Sequence, residues 1–124
     1  MATLRGNEYA WPIGAIPAVI EAARENNLVN VGGQLQFRLP DAICECYWVE
    51  VDTYKLVPAN LPWQERVTKT ADVAIESFNR LQKDFDFIAE GRRDFGKYLS
   101  QYEEDGGVAQ EAMCFVWYFE TAPK

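Results

Sequence analysis

Gln34-Leu-Gln-Phe-Arg-Leu-Pro-Asp-Ala-Ile-Cys-Glu-Cys-Tyr-Trp-Val-Glu-Val-Asp52 decides the fold. Leu35, Phe37 and Leu39 alternate with Gln34, Gln36 and Arg38, the period-two signature of a strand with one apolar and one polar side. Pro40-Asp41 is a turn signal, and Ala42 to Asp52, rich in β-formers, reads as the return strand. Paired across that turn, Leu35 and Phe37 share a face with Cys44, Cys46 and Trp48. The opposite face carries Gln34, Gln36, Arg38, Glu45 and Tyr47, a polar side with a tyrosine on it. Just upstream, Gly32-Gly33 marks a bend or bulge at the entry to the first strand.

Working outward, residues 1–10 form a short irregular start. Trp11-Pro12 reads as a helix entry, because proline suits the first helical turn. Ile13, Ile16, Val19, Ile20 and Ala23 then recur at helical spacing, and Pro17 near the first turn removes little. Asn26-Asn27 is the stop, since asparagine tolerates the left-handed conformation at a helix end. After the hairpin, Tyr54 to Pro58 either extends the second strand or forms a short third one. Asn60-Leu61-Pro62 opens a second helix, with Asn60 as its cap. Trp63, Val67, Ala71, Ala74, Phe78, Leu81, Phe85 and Ile88 make one apolar stripe, closed by Gly91. The segment Leu61 to Glu90 is therefore one long amphipathic helix, with Lys83-Asp84 as the place where it would break. Phe95, Tyr98 and Leu99 indicate a shorter helix before an acidic, glycine-rich loop, Glu103-Glu-Asp-Gly-Gly107. Ala112 to Glu120 is apolar on both faces, which marks a central strand covered on both sides.

No repeat, low-complexity segment or linker divides the chain. The expected architecture is a single α+β domain spanning residues 1–124. A mostly antiparallel sheet, made of the hairpin and the C-terminal strand, is packed by one long amphipathic helix and shorter helices.

The 124 residues carry a formal net charge of -7, with no histidine and three cysteines. That balance argues against a sequence-independent nucleic-acid binder, which needs a cationic footprint to release counterions. Without histidine there is no zinc triad, no Ser-His or Cys-His nucleophile pair and no neutral-pH proton shuttle. Cys44, Cys46 and Cys114 are an odd set and read as buried, reduced thiols. The start of the chain lacks the apolar core of a secretory signal, and no run approaches the ~20 apolar residues of a membrane span. Cytoplasmic residence is the expectation.

Val31-Gly-Gly-Gln34 is not a phosphate loop, since no Lys-Ser/Thr and no helix follows the glycines. Glu103, Glu104 and Asp105 supply hard oxygen ligands but not the alternating pattern of a calcium loop. The sequence points to no enzyme, no metal and no cofactor. Binding remains, and two groups of residues stand out for it: Glu103, Glu104 and Asp105, and the strand face of Gln36, Arg38, Glu45 and Tyr47.

The stretch Val31-Gly-Gly-Gln-Leu-Gln-Phe-Arg-Leu-Pro-Asp-Ala-Ile-Cys-Glu-Cys-Tyr-Trp48, preceded by the helix Ile13 to Asn26, resembles small bacterial toxin-immunity proteins. These are cytosolic antidotes to toxins. The resemblance implies a cognate protein toxin as partner, bound at or near its active site, with no catalysis by the antidote. A basic toxin would complement the acidic chain. The alternatives are an acidic, phage-type inhibitor that mimics nucleic acid, and a carboxylate-dependent enzyme. The first needs carboxylates clustered along one face, and the second needs two acids facing each other in a cleft.

Overall fold

The structure is a computed structural model and describes residues 2–5 and 8–123. The strands are β1 (Thr3–Arg5), β2 (Glu8–Trp11), β3 (Val29–Arg38), β4 (Ile43–Asp52) and β5 (Met113–Glu120). The helices are α1 (Ile16–Glu25), α2 (Trp63–Asp84), α3 (Phe87–Glu104) and α4 (Ala109–Ala112). All strands pair antiparallel in one sheet of order β1-β2-β5-β3-β4, so the fold is α+β. No helix among the described residues is long and apolar enough to cross a membrane.

The hairpin that the alternation predicts is β3–β4. Leu35 lies opposite Cys46 and Phe37 opposite Cys44, so these four share the face that packs beneath the helices. The register then slips: Gln34 lies opposite Glu50, leaving Tyr47, Trp48 and Val49 bulged. The bulge switches the parity of β4, so that Val49 and Val51 join Cys44 and Cys46 in the core. A second irregularity falls between Asn30 and Gly32, where the glycine pair announced it. Gly32 there has φ +138°, and a Cβ on it would meet the Val51 carbonyl oxygen at 2.0 Å.

The last strand enters the middle of the sheet. Phe115 and Trp117 of β5 face the helices, and Phe115 packs edge-on against Phe78 of α2. Cys114 and Val116 on the reverse face are buried too, but among the described residues no second helical layer covers them. They cluster with Ala10 of β2, part of a short β1–β2 ribbon where the sequence suggested irregular chain. Strands of three and four residues are too short for periodicity to register.

The helical segments correct the sequence reading in four places. Trp11-Pro12 leads first into a 3₁₀ turn at Ile13–Ala15, and α1 follows with Pro17 in its first turn. Asn60 is not a cap: Pro62 occupies the N-cap of α2 without a side-chain bond, and Tyr54 lies in a 3₁₀ turn rather than a strand. Gly91 does not close a helix. The stripe breaks at Phe85-Asp86, Asp86 caps α3 by accepting from the Ala89 N–H, and α3 runs on to Glu104. Gly91 is the contact point of α3 with the sheet, since a Cβ there would lie 2.3 Å from the Phe37 ring. The Asn26-Asn27 stop is as expected: Asn27 has φ 60°, Asn27 N–H donates to Arg24 and Leu28 N–H to Ala23.

Buried polar groups tie these layers together at Asn30, which has no exposed surface. Its side chain donates to the Ile20 carbonyl at 3.3 Å and accepts from the Trp117 indole at 2.9 Å. Its backbone N–H donates to Thr70 Oγ1, and its carbonyl accepts from Thr53 Oγ1. One residue thus bonds α1, α2, β5 and the turn after β4.

The close passage of α3 over Phe37 has a simple test. Gly91→Ala overpacks that contact and should cost about 1–3 kcal/mol. Gly96→Ala, where nothing lies within 4 Å of the new Cβ, should be neutral or stabilise by up to about 1 kcal/mol. Urea unfolding of the two variants should show opposite or clearly separated shifts in midpoint.

Candidate functional site

The sheet face turned away from the helices holds the polar strand residues singled out above. Arg38, on β3, reaches across the sheet. Its Nε donates to Gln36 Oε1 at 3.1 Å, its Nη1 to the Thr3 carbonyl at 3.0 Å and its Nη2 to the Glu8 carbonyl at 3.0 Å. Gln36 in turn donates to Glu45 Oε1 at 3.2 Å and lies within 3.5 Å of Glu8 Oε1. The Tyr118 hydroxyl donates to Glu8 Oε2. Burial and this carboxylate together push the Tyr118 phenol pKa well above its usual range.

This network ties the β1–β2 ribbon to the body of the sheet. Gln36 has no exposed surface, and Arg38 spends its guanidinium on backbone carbonyls. Both are occupied inside the protein. Glu45 remains exposed with no ion pair among the described residues, and Tyr47, in the β4 bulge, is 68% exposed. Glu8 and Tyr118 were missed as members. Tyr118 was legible from its alternation with Cys114 and Val116, whereas Glu8 sits in the ribbon that carried no periodic signal.

The second group, Glu103, Glu104 and Asp105, lies not in a loop but at the end of α3. Asp105 is the C-cap, Gly106 N–H donates to the Glu103 carbonyl and Gly107 N–H to the Tyr102 carbonyl, the paired bonds of a Schellman motif. Gly106 supplies the positive φ of 96°. The three acids do not act alike. Glu103 is held bidentate by Arg92, at 2.7 and 2.8 Å. In a straight helix residues eleven apart are separated by about 16 Å along the axis. The non-helical backbone of Phe95 bends α3 and brings the pair together. Glu104 and Asp105 form no ion pair among the described residues, and no basic residue stands in the last turn.

The bend itself is gripped by β4. Trp48 stacks on Phe95 with ring centroids 6.5 Å apart, donates its indole N–H to Glu90 at 2.7 Å and lies under the Arg93 guanidinium. The bulge therefore does two things: it turns Trp48 toward α3 and leaves Tyr47 edge-on against it in solvent. Beside the bend, a groove of about 490 Å³ opens between the β3–β4 turn and α3. Leu39, Asp41 and Ala42 form one wall, and Tyr98, Tyr102 and Asp105 the other. Ile43, the next residue along β4, is 41% exposed. The two groups thus stay separate: one bridges the sheet's reverse face, and the other ends beside the hairpin turn.

Among the described residues no group of three histidine, cysteine or acidic side chains is placed to hold a metal ion. The three thiols are buried and unbridged. Burial pushes Cys46 up to about 12 and Cys114 up to about 11, and raises Cys44 as well. Comparison with known proteins finds no matching family model, no similar curated protein and no similar solved structure.

Two titrations follow from this geometry. The Arg92 hydrogen bonds hold the Glu103 carboxyl below its ordinary value. Their stabilising contribution is present above the ordinary carboxylate range and is lost as pH falls through the lowered value. Carboxyl-detected NMR should show a depressed Glu103 midpoint that rises to an ordinary one in Arg92→Ala. For the thiols the sign is reversed: the native state holds its protons more tightly, so stability falls as pH climbs from the ordinary thiol range of about 8.5 toward the raised values. All three cysteines should resist iodoacetamide at pH 8 in the native protein and react fully once unfolded. Rapid alkylation of native protein would contradict the burial.

Proposed function

We propose that this chain is a non-catalytic binding protein of the immunity type, which neutralises a cognate protein toxin by covering its active site. One observation supports the reading above others. Exposed apolar and aromatic side chains stand on β4 (Ile43 and Tyr47) and on α3 (Tyr98), and the hairpin and the end of α3 also carry acids with no ion pair among the described residues: Asp41, Glu45, Glu104 and Asp105. Tyrosine is a frequent anchor of protein interfaces, and unneutralised carboxylates around it steer a basic partner and set register.

Within that surface the residues divide by role. Tyr47 and Tyr98 are the anchors, and Glu45 and Asp105 the charged contacts. Gln36 and Arg38 support the surface by fixing the strands. Glu103, neutralised by Arg92, shapes the end of α3. The nucleic-acid-mimic reading draws less support, because several carboxylates are bound by arginines: Glu103 by Arg92, Glu90 by Arg93, Glu120 by Arg66 and Glu76 by Arg80.

The test begins with capture of partners at low and high salt and proceeds to function. A captured protein should arrest growth when expressed alone and lose that effect when this chain is co-expressed. Tyr47→Ala should weaken the complex by about 2 kcal/mol or more, and Glu45→Arg and Asp105→Lys should slow association at low salt. A captured protein that keeps full activity with excess chain bound would overturn the reading. So would an affinity untouched by all three substitutions.

A further inference from the structure

We propose that the groove between the β3–β4 turn and the C-terminal half of α3 receives an arginine side chain, with its apolar neighbours, from a protein partner. The inference rests on the reading that this chain binds a protein, and it names what the groove recognises.

The walls supply apolar surface from Leu39 and Ala42 and two aromatic rings, Tyr98 and Tyr102, in a space of about 490 Å³. Asp41 and Asp105 line the same space from opposite sides, one on the turn and one at the end of α3. Neither forms an ion pair among the described residues. Up to Glu103 the acids of α3 are paired: Glu90 and Asp94 with Arg93, and Glu103 with Arg92. Acids at a helix C-terminus face the negative end of its dipole, and the last turn of α3 holds no base to offset them. Among the described residues Lys97 is the one cation that lines the groove, and it has no ion pair there. The groove therefore keeps two unneutralised carboxylates against one lysine.

A guanidinium suits this combination better than other cations. It is weakly hydrated, lies flat on a tyrosine ring and donates to carboxylates along its edge, while its methylene stem packs on apolar walls. A hard metal ion would need more oxygen ligands than two carboxylates on separated elements provide.

The experiment is a titration of the nitrogen-labelled chain, followed by amide correlation spectra. The probe is a blocked tripeptide with arginine between two leucines, and its control carries the neutral isostere citrulline in place of arginine. Arginine peptide should perturb residues 39–42 and 97–107, with affinity that falls as salt rises. Citrulline should weaken binding by about tenfold or more, and so should the Asp41→Asn/Asp105→Asn double variant, whose own spectrum reports that it is folded. Lys97→Gln should tighten arginine binding by removing the like charge. Equal binding of the two peptides would overturn the proposal in favour of a purely apolar groove. No perturbation of the groove, or perturbation only elsewhere, would overturn it outright. Because no toxin enters this titration, its failure leaves the immunity reading to stand or fall on the growth assay.

Discussion

The side-chain amide of Asn30 is the point on which the layers depend. It is fully buried and bonds the carbonyl of Ile20 in α1 and the indole of Trp117 in β5, while its backbone bonds Thr70 of α2 and Thr53. A buried amide left unpaired costs on the order of 1–3 kcal/mol for each lost partner, so the native arrangement is favoured only when all of these elements arrive together. Two of those partners lie far along the chain: Trp117 is 87 residues away and Thr70 is 40. The last strand must enter the centre of the sheet before this amide is satisfied. Asn30 lies opposite Phe119 in the sheet, next to the irregularity between Asn30 and Gly32.

With the sheet fixed in this way, its two faces differ in kind. Apart from the Asn30 network, the helix face is apolar and closed by the single cluster that runs from Ile16 through Phe37 to Trp117. The reverse face is held by polar contacts, with Arg38 and Gln36 lashing the β1–β2 ribbon across β5. A strand face that reads as a polar binding surface is therefore partly an interior of its own. What stays available to a partner lies toward the hairpin turn and α3, where the β4 bulge puts Tyr47 outside and Trp48 inside.

The sequence and the structure agree where local chemistry is strong. Alternation from Gln34 to Arg38 set the face of every residue in β3–β4 up to the bulge, and the two-sided apolarity of β5 placed it centrally. Asn26-Asn27 ended α1 because an L-residue must enter the left-handed region there and asparagine does so at low cost. Other features rest on contacts between distant segments. Gly91 looks like a helix stop in sequence, yet it is glycine because Phe37 leaves no room for a Cβ. Glu103, Glu104 and Asp105 look alike in sequence. Only a bend at Phe95, stacked on Trp48, brings Arg92 to the first of them and leaves the others unpaired. The burial of Gln36 depended on a ribbon too short to be seen in advance.

The central claim is a division of labour: the reverse-face network holds the fold, and the hairpin end with α3 meets the partner. Hydrogen–deuterium exchange of the chain, free and in its complex with a captured partner protein, tests it most directly. Slowed exchange should appear in residues 39–47 and 97–107, with β1, β2 and β5 unchanged. Protection concentrated on β1, β2 and the centre of β3, with none at the turn or the end of α3, would contradict the account.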